Sequence, residues 1–274
     1  GLRPDSGEDA RFCEALCERL GVALRVHAAG AAPQPGEGNL QAWARELRYA
    51  EAERVAAARG GARIAAGHTV TDQVETVLYR LAASPGRRAL LGMPERSGAL
   101  VRPLLAAGAT RAETAAWCRA RGLEWREDPS NESGRFARGR VREGLVPALR
   151  AVHPRAEENV LATAALLREE GAVLDELVAG VLEGGDRIAI DRLAALPRAL
   201  ARLVVRRLAE ETAGRLCPRA AARLDDLLAL GPRGGALDVG DGARAVVERG
   251  ELRFEPTPPL PASPSAPRLH SPPP

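Results

Sequence analysis

The chain has 274 residues, 45% hydrophobic and 3% aromatic, enough to bury one large domain or two modest ones with cores of Ala, Leu and Val. All 39 basic residues are arginine, and against 36 acids they leave a net charge of +3, which neither demands nor rules out a nucleic-acid partner. No signal peptide and no membrane-spanning apolar run is visible, and the cysteines at 13, 17, 118 and 217 form no CxxC pair, so the expectation is a soluble cytoplasmic protein with small buried thiols rather than a metal or disulfide framework.

Ser6-Gly7-Glu8-Asp9 opens a helix whose apolar face carries Phe12, Leu16 and Leu20, and Gly21 stops it. Residues 22–27 read as a strand. A Gly/Pro/Gln loop spans 30–38, and a long helix runs from about Asn39 to Arg59, closed by Gly60-Gly61. Residues 63–67 read as a short buried strand feeding a helix with Val74, Val77, Leu78 and Leu81 on its buried stripe. Residues 100–104 suggest a further strand. Thr110-Arg111-Ala112-Glu113 is a capping box for a helix ending at Gly122, and Asp128-Pro129-Ser130-Asn131 is a turn. Helix and strand alternating at this pace predict an α/β, doubly wound parallel sheet. After Pro147 the texture turns helical, over about 155–183, 194–213 and 219–230. Residues 236–254 alternate around Gly-Asp-Gly and Arg-Gly turns and predict a small β meander. From Pro256 onward Pro and Ser dominate, which predicts a disordered tail. The expected domains are thus 1–150, 151–255 and a tail, 256–274.

Three stretches carry candidate chemistry. In Gly67-His68-Thr69-Val70-Thr71-Asp72, the histidine sits at the carboxyl end of a strand, where ligands gather in open α/β sheets. His68 and Asp72 share a helix face, near N–H groups that favour phosphate, and an Asp there could hold Mg²⁺ on a nucleotide. On spacing alone the simpler reading is a capped helix with a loop histidine. In Asn39–Tyr49, Arg45 and Arg48 lie on adjacent turns and could clamp phosphate or stack on a base; a solvated face paired with Glu46 and Glu51 explains them as well. Arg135–Arg142 holds four arginines, one aromatic and no acid in eight residues, a pattern suited to RNA backbone. The coding bias of a GC-rich genome, which the missing lysine suggests, is the competing explanation.

Taken in order, the stretches resemble tRNA(Ile)-lysidine synthetases of the PP-loop ATP pyrophosphatase superfamily. Asn39–Tyr49 is similar to N-x-Q-x-x-A-R-x-x-R-Y, Gly67–Thr76 to GHxxDDQxET, Gly92-Met93 and Arg102–Leu105 to GM and RPLL, Trp125–Asn131 to W-x-E-DPSN, and Arg138–Arg142 to RNRIR. The resemblance implies a PP-loop, HUP-like sheet followed by a smaller helical tRNA-recognition domain ending in the meander. It implies ATP and Mg²⁺ as cofactors, free L-lysine and a CAU-anticodon tRNA(Ile) as partners, no membrane, and room for a homodimer. It implies catalytic roles for Asp72, His68 and Arg48, ATP contacts at Gly67, His68 and Arg45, tRNA contacts at Arg138, Arg140, Arg142 and Asn131, and Mg²⁺ at Asp72. The implied reaction adenylates C2 of the wobble cytidine and lets lysine displace AMP, changing codon reading from AUG to AUA.

This sequence departs from the pattern in several places. No SGGxDS phosphate loop occurs in it, Thr71 stands where a first aspartate is usual, Ala83-Ser84-Pro85-Gly86 replaces RGSG, and Gly139 replaces Asn. The chain opens on Gly1 rather than Met, so the expectation is an N-terminally truncated chain, lacking the first strands and inactive by itself. Two other readings stand beside this one: a non-catalytic tRNA-binding protein of the same descent, and a tRNA 2-thiolation enzyme, against which the missing CxxC pairs count.

Overall fold

The computed structural model describes residues 6–27, 30, 40–84, 86–126 and 137–258. The chain forms two compact units, residues 1–168 and 169–274. The expected turn at 128–131, most of the expected loop at 30–38 and most of the Pro-rich tail lie outside the described residues.

In the first unit the order is α1 (Ser6–Leu20), α2 (Leu40–Ala57), β1 (Ile64–Ala65), α3 (Val70–Ala83), α4 (Arg87–Leu90), β2 (Arg96–Ser97), β3 (Leu100–Val101), α5 (Pro103–Ala106), α6 (Arg111–Ala120), α7 (Ala137–Arg140) and α8 (Val146–Val152). A π-helical turn, Val141–Leu145, joins the last two. The sheet has three strands in the order β1-β3-β2, with β1 parallel to β3 and β2 antiparallel to it. Among the described residues it is therefore a small mixed sheet, and the doubly wound parallel sheet that the alternation predicts is not seen among them.

The difference has a physical origin at residues 22–27. Their alternation predicts a strand, yet the segment joins no ladder and leaves Val22, Leu24 and Val26 exposed. Alternating apolar residues make a strand only where a neighbouring edge supplies hydrogen bonds. Here the segment borders a trough of about 420 Å³, lined also by Arg48, Glu51, Val55 and Ile64. The expected strand at 100–104 is cut short because Pro103 starts α5.

α3 is the best-buried helix of this unit. Its stripe of Val74 and Leu78 meets Val141, which opens the π turn, and Val146, which follows it, with Leu149, Val160 and Leu161 around them. Leu81, expected on the same stripe, is 60% exposed. Of the cysteines, Cys13 is exposed, Cys17 and Cys118 are half-buried, and only Cys217 is buried, so the expectation of buried thiols holds for one of four.

A 27-residue helix, α9 (Ala156–Leu182), leads from the first unit into the second. There follow β4 (Arg187–Ala189), α10 (Ile190–Ala195), α11 (Arg198–Ala213), α12 (Leu224–Leu230), β5 (Gly235–Gly240), β6 (Ala243–Glu248) and β7 (Glu251–Pro256). The expected meander is present with one more strand than anticipated, in the order β4-β7-β6-β5 and all antiparallel. Its hairpins turn on Asp241-Gly242 and Arg249-Gly250, with φ of 58° and 81° in the first and 53° and 81° in the second. Such two-residue left-handed turns match the twist of paired strands. One face of the sheet buries Ala243, Ala245, Val247, Leu252 and Phe254 against Val204, Val205 and Leu208 of α11 and against Leu193, Leu224 and Leu227.

Because Leu208 is 2% exposed at the centre of this layer, Leu208→Ala should lower the unfolding free energy by about 2–5 kcal/mol, read by urea denaturation. Leu216→Ala, at a leucine 71% exposed, should leave the transition midpoint where it is.

Candidate active site

Thr69 caps α3 as the sequence predicts. Its hydroxyl accepts from the Asp72 amide, while the Asp72 carboxylate accepts from the Thr69 N–H at 2.9 Å and hydroxyl at 2.8 Å. This cap changes what the helix end can do. The Thr69 and Asp72 amides are spent on each other, and the Val70 amide donates to the Ala109 carbonyl at 2.9 Å. The expected row of free N–H groups for phosphate is thus largely occupied. Thr71 contributes instead through its hydroxyl, which accepts from the Arg111 amide at 3.1 Å.

The centre of the site is a residue that the sequence did not single out. Glu75 is 1% exposed, and Arg142 grips it with both arms of its guanidinium, at 2.6 Å and 3.1 Å. Arg111 and Arg138 each stand 3.7 Å from the same carboxylate. Arg111 also reaches Asp72 at 3.1 Å, and Arg138 donates to the Thr76 hydroxyl at 2.7 Å. Two carboxylates on adjacent turns of α3 therefore hold three arginines from α6, α7 and the π turn. The π turn matters to this geometry. Arg138 precedes it and Arg142 lies in it, and both reach α3, whereas Arg140 is exposed. Such bulges recur at functional sites because they re-aim side chains without ending a helix. Two signals pointed to Glu75: an acid one residue after buried Val74, and the fixed glutamate of the GHxxDDQxET pattern, which falls on it.

A second ring of cations surrounds His68. Burial, and then the charge of Arg102, pull its imidazole below the usual range; Asp72 pulls the other way, and Arg45 and Arg138 add to the lowering. At neutral pH His68 is therefore uncharged, with a buried Nδ1 that has no hydrogen-bond partner. Arg102 is itself 5% exposed; it donates to the Pro94 carbonyl at 2.6 Å and leaves its Nε unpaired. Arg80 donates to the Gly92 carbonyl at 2.8 Å, and burial, followed by the charges of Arg45, Arg138 and Arg102, depresses its pKa. Six arginines face two carboxylates across this region, a surplus that suits an anionic ligand.

The backbone around the site is locked by Gln73. Its amide both donates to the Met93 carbonyl at 3.0 Å and accepts from the Met93 N–H at 2.7 Å. Gly92 lies directly beneath it, with φ of 66°, and a Cβ there would sit 2.6 Å from the Gln73 amide.

Not every sequence candidate joins this cluster. Arg45 acts on His68 and stacks over Tyr49 at 4.7 Å. Arg48 instead lines the trough beside residues 22–27, together with Arg25, His27 and Glu51. Gly67 faces open space, and its backbone lies outside the left-handed region. Asn131 lies outside the described residues. As a Mg²⁺ site Asp72 fits poorly, since both its oxygens are engaged and the nearest charges are arginines. Among the described residues no group of three or more His, Cys, Asp or Glu could hold a metal, and no helix is long and apolar enough to cross a membrane.

Comparison with known proteins gives the family. The family model of the PP-loop domain matches residues 1–149, which makes the chain a PP-loop protein. A tRNA(Ile)-lysidine synthase of Nocardia farcinica is 37% identical over 267 residues, covering 92% of this chain and 80% of the relative. One from Salinispora tropica is 36% identical over 269 residues, covering 92% and 78%. One from Thermus thermophilus is 39% identical over 269 residues, covering 96% of this chain and 52% of the relative. The chain belongs to the tRNA(Ile)-lysidine synthase family, and it spans about half the length of the Thermus relative.

Removing the central carboxylate should be costly, because three guanidinium groups lose their counter-charge in a buried place. Glu75→Ala should destabilise the first unit by about 3–5 kcal/mol, measured by denaturation of the whole chain.

Asp72 gives a pH dependence. Burial raises its pKa, but the Thr69 N–H and hydroxyl and the charges of Arg111 and Arg138 outweigh that and hold it below 3.8. A carboxylate depressed on folding stabilises the protein above its unfolded pKa and loses that contribution as pH falls through the folded value. The stability difference between the native chain and Asp72→Asn should therefore be full at pH 7 and shrink toward zero below pH 3.8.

Proposed function

We propose that this chain forms the cytidine- and lysine-facing part of a tRNA(Ile)-lysidine synthetase site. The observation that carries the reading is the pair of carboxylates on α3, Asp72 and Glu75, set among six arginines beside a neutral His68. The reaction has two steps. The C2 oxygen of the wobble cytidine attacks the α-phosphate of ATP, and pyrophosphate leaves. The ε-amine of lysine then attacks C2, and AMP leaves.

Each group has work to do in that scheme. The surplus of guanidinium around His68, from Arg45, Arg80, Arg102 and Arg138, suits the phosphate of the adenylated cytidine. Asp72 stays ionised, and its Oδ1, which among the described residues accepts only from Arg111, serves as an orienting acceptor for the lysine ammonium or the cytosine amine; the group is too weak a base to deprotonate lysine by itself. His68, uncharged and with Nδ1 unpaired, is the better proton acceptor when the amine attacks. Glu75 acts through others: it fixes Arg142, Arg138 and Arg111. Arg140, on the outer side of α7, is the arginine of its segment best placed for tRNA backbone, with the exposed parts of Arg138 and Arg142 beside it. Arg48, which lines the trough, is this reading's candidate contact for the nucleotide. Any Mg²⁺ enters as the ATP complex rather than through Asp72.

The test is ATP-dependent transfer of radiolabelled lysine to a CAU-anticodon tRNA(Ile) transcript. Residues 1–274 by themselves should show no transfer and no ATP–pyrophosphate exchange, since they contain no SGGxDS loop to hold the β- and γ-phosphates. The same residues fused behind the corresponding loop segment of the Nocardia relative should transfer lysine, and Asp72→Asn in that fusion should lower the rate by at least about 100-fold. A folded fusion without transfer would refute the assignment.

A further inference from the structure

The first unit carries an exposed aromatic feature that plays no part in the cluster on α3. Trp117, on the outer face of α6, is 51% exposed, in a chain with only 3 tryptophans. A half-exposed indole offers a flat, rigid stacking face with few rotamers to lose on binding. Here the Arg121 guanidinium lies over the ring, 4.0 Å from its centroid. Among the described residues no acid pairs with Arg121 or with neighbouring Arg119, whose Nε is turned onto the Ala115 carbonyl.

The segment that carries the stack is basic. No acid lies between Glu113 and Glu124, and Glu113 is folded back onto the Thr110 N–H and hydroxyl, both at 2.8 Å. The asymmetry extends to the whole unit: residues 1–168 hold 25 arginines against 20 acids, whereas residues 169–274 hold 14 against 16. An apolar protein partner gains nothing from unpaired guanidinium at the centre of its contact. An unpaired nucleobase gains twice, since it stacks on indole or guanidinium planes while its phosphate meets the charge.

We propose that the Trp117–Arg121 stack is a platform for one unpaired nucleobase of a bound RNA, separate from the site on α3. This rests on RNA being the substrate class, and the platform reads a single strand without regard to sequence.

The experiment is a fluorescence titration of the 274-residue chain. Trp43→Phe combined with Trp125→Phe leaves Trp117 as the only indole, and the ligands are oligo-uridine and a CAU anticodon stem–loop. Trp117 emission should be quenched on addition of oligo-uridine. Trp117→Ala, followed by anisotropy of labelled RNA, should weaken binding roughly ten-fold or more, Trp117→Phe should largely retain it, and Arg121→Ala should weaken it and flatten its salt dependence. Circular dichroism of each variant separates lost binding from lost fold, and the Phe variant keeps the test open if the Ala variant unfolds. No quenching, equal affinity for native and Trp117→Ala, or burial of Trp117 by self-association at rising protein concentration without RNA would each overturn the platform. Stem–loop binding indifferent to Trp117→Ala would sink the platform and leave the lysidine reading intact. Oligo-uridine binding that needs Trp117, without preference for the CAU loop and without lysine transfer in the fusion, would support the platform while that reading fails.

Discussion

A buried carboxylate in water-free surroundings must be paired, and the pairing of Glu75 organises the first unit. Its partners come from three separate places in the chain: Arg111 at the start of α6, Arg138 in α7 and Arg142 in the π turn. None of these segments packs a large apolar surface of its own. The second unit, by contrast, is held by a continuous layer of aliphatic side chains between α11 and the meander. The first unit thus sets a charge network beside a smaller apolar cluster, and the second rests on burial. A charge-fixed frame is costly in stability, because desolvating ions offsets much of what their attraction returns. Its advantage is a set of guanidinium groups held in place before any ligand arrives.

α3 carries this arrangement because its faces have different duties. One face is apolar and packs on Val141 and Val146. Its first turn is closed by the reciprocal cap of Thr69 and Asp72. Between them Gln73 clamps the Met93 peptide, which places Gly92 where only a hydrogen-sized side chain fits and lets Arg80 reach its carbonyl. The tight Gly-Met pair and the glutamine of the helix are therefore two halves of one contact, twenty residues apart.

Local signals are legible in this sequence, and long-range ones far less so. The capping boxes at Thr69 and Thr110, and the Asp-Gly and Arg-Gly hairpin turns, depend on three or four adjacent residues and stand where the pattern puts them. Residues 22–27 have a strand's alternation but no partner edge, a property that no local pattern contains. β4 is three residues long and exists because β7 offers it an edge. Glu75 is a letter of the GHxxDDQxET pattern, but periodicity ranks an acid on a buried stripe as noise, and its role appears only when arginines 36 to 67 residues away close around it. The motif order identified the family; it did not show that Arg45 and Arg48 would part company, one toward His68 and one toward the trough.

The π turn at Val141–Leu145 has a consequence for how this site tolerates change in length. A π turn is an α-helix carrying one surplus residue. Each residue of an α-helix advances the chain by about 100° around its axis. Loss of that surplus would leave the helix continuous but swing everything after it by nearly a third of a turn. Val146 would leave its place beside Leu78, and the guanidinium groups before and within the bulge could no longer share one carboxylate. Substitutions in this segment trade one side chain for another, whereas a single-codon deletion resets its angular register.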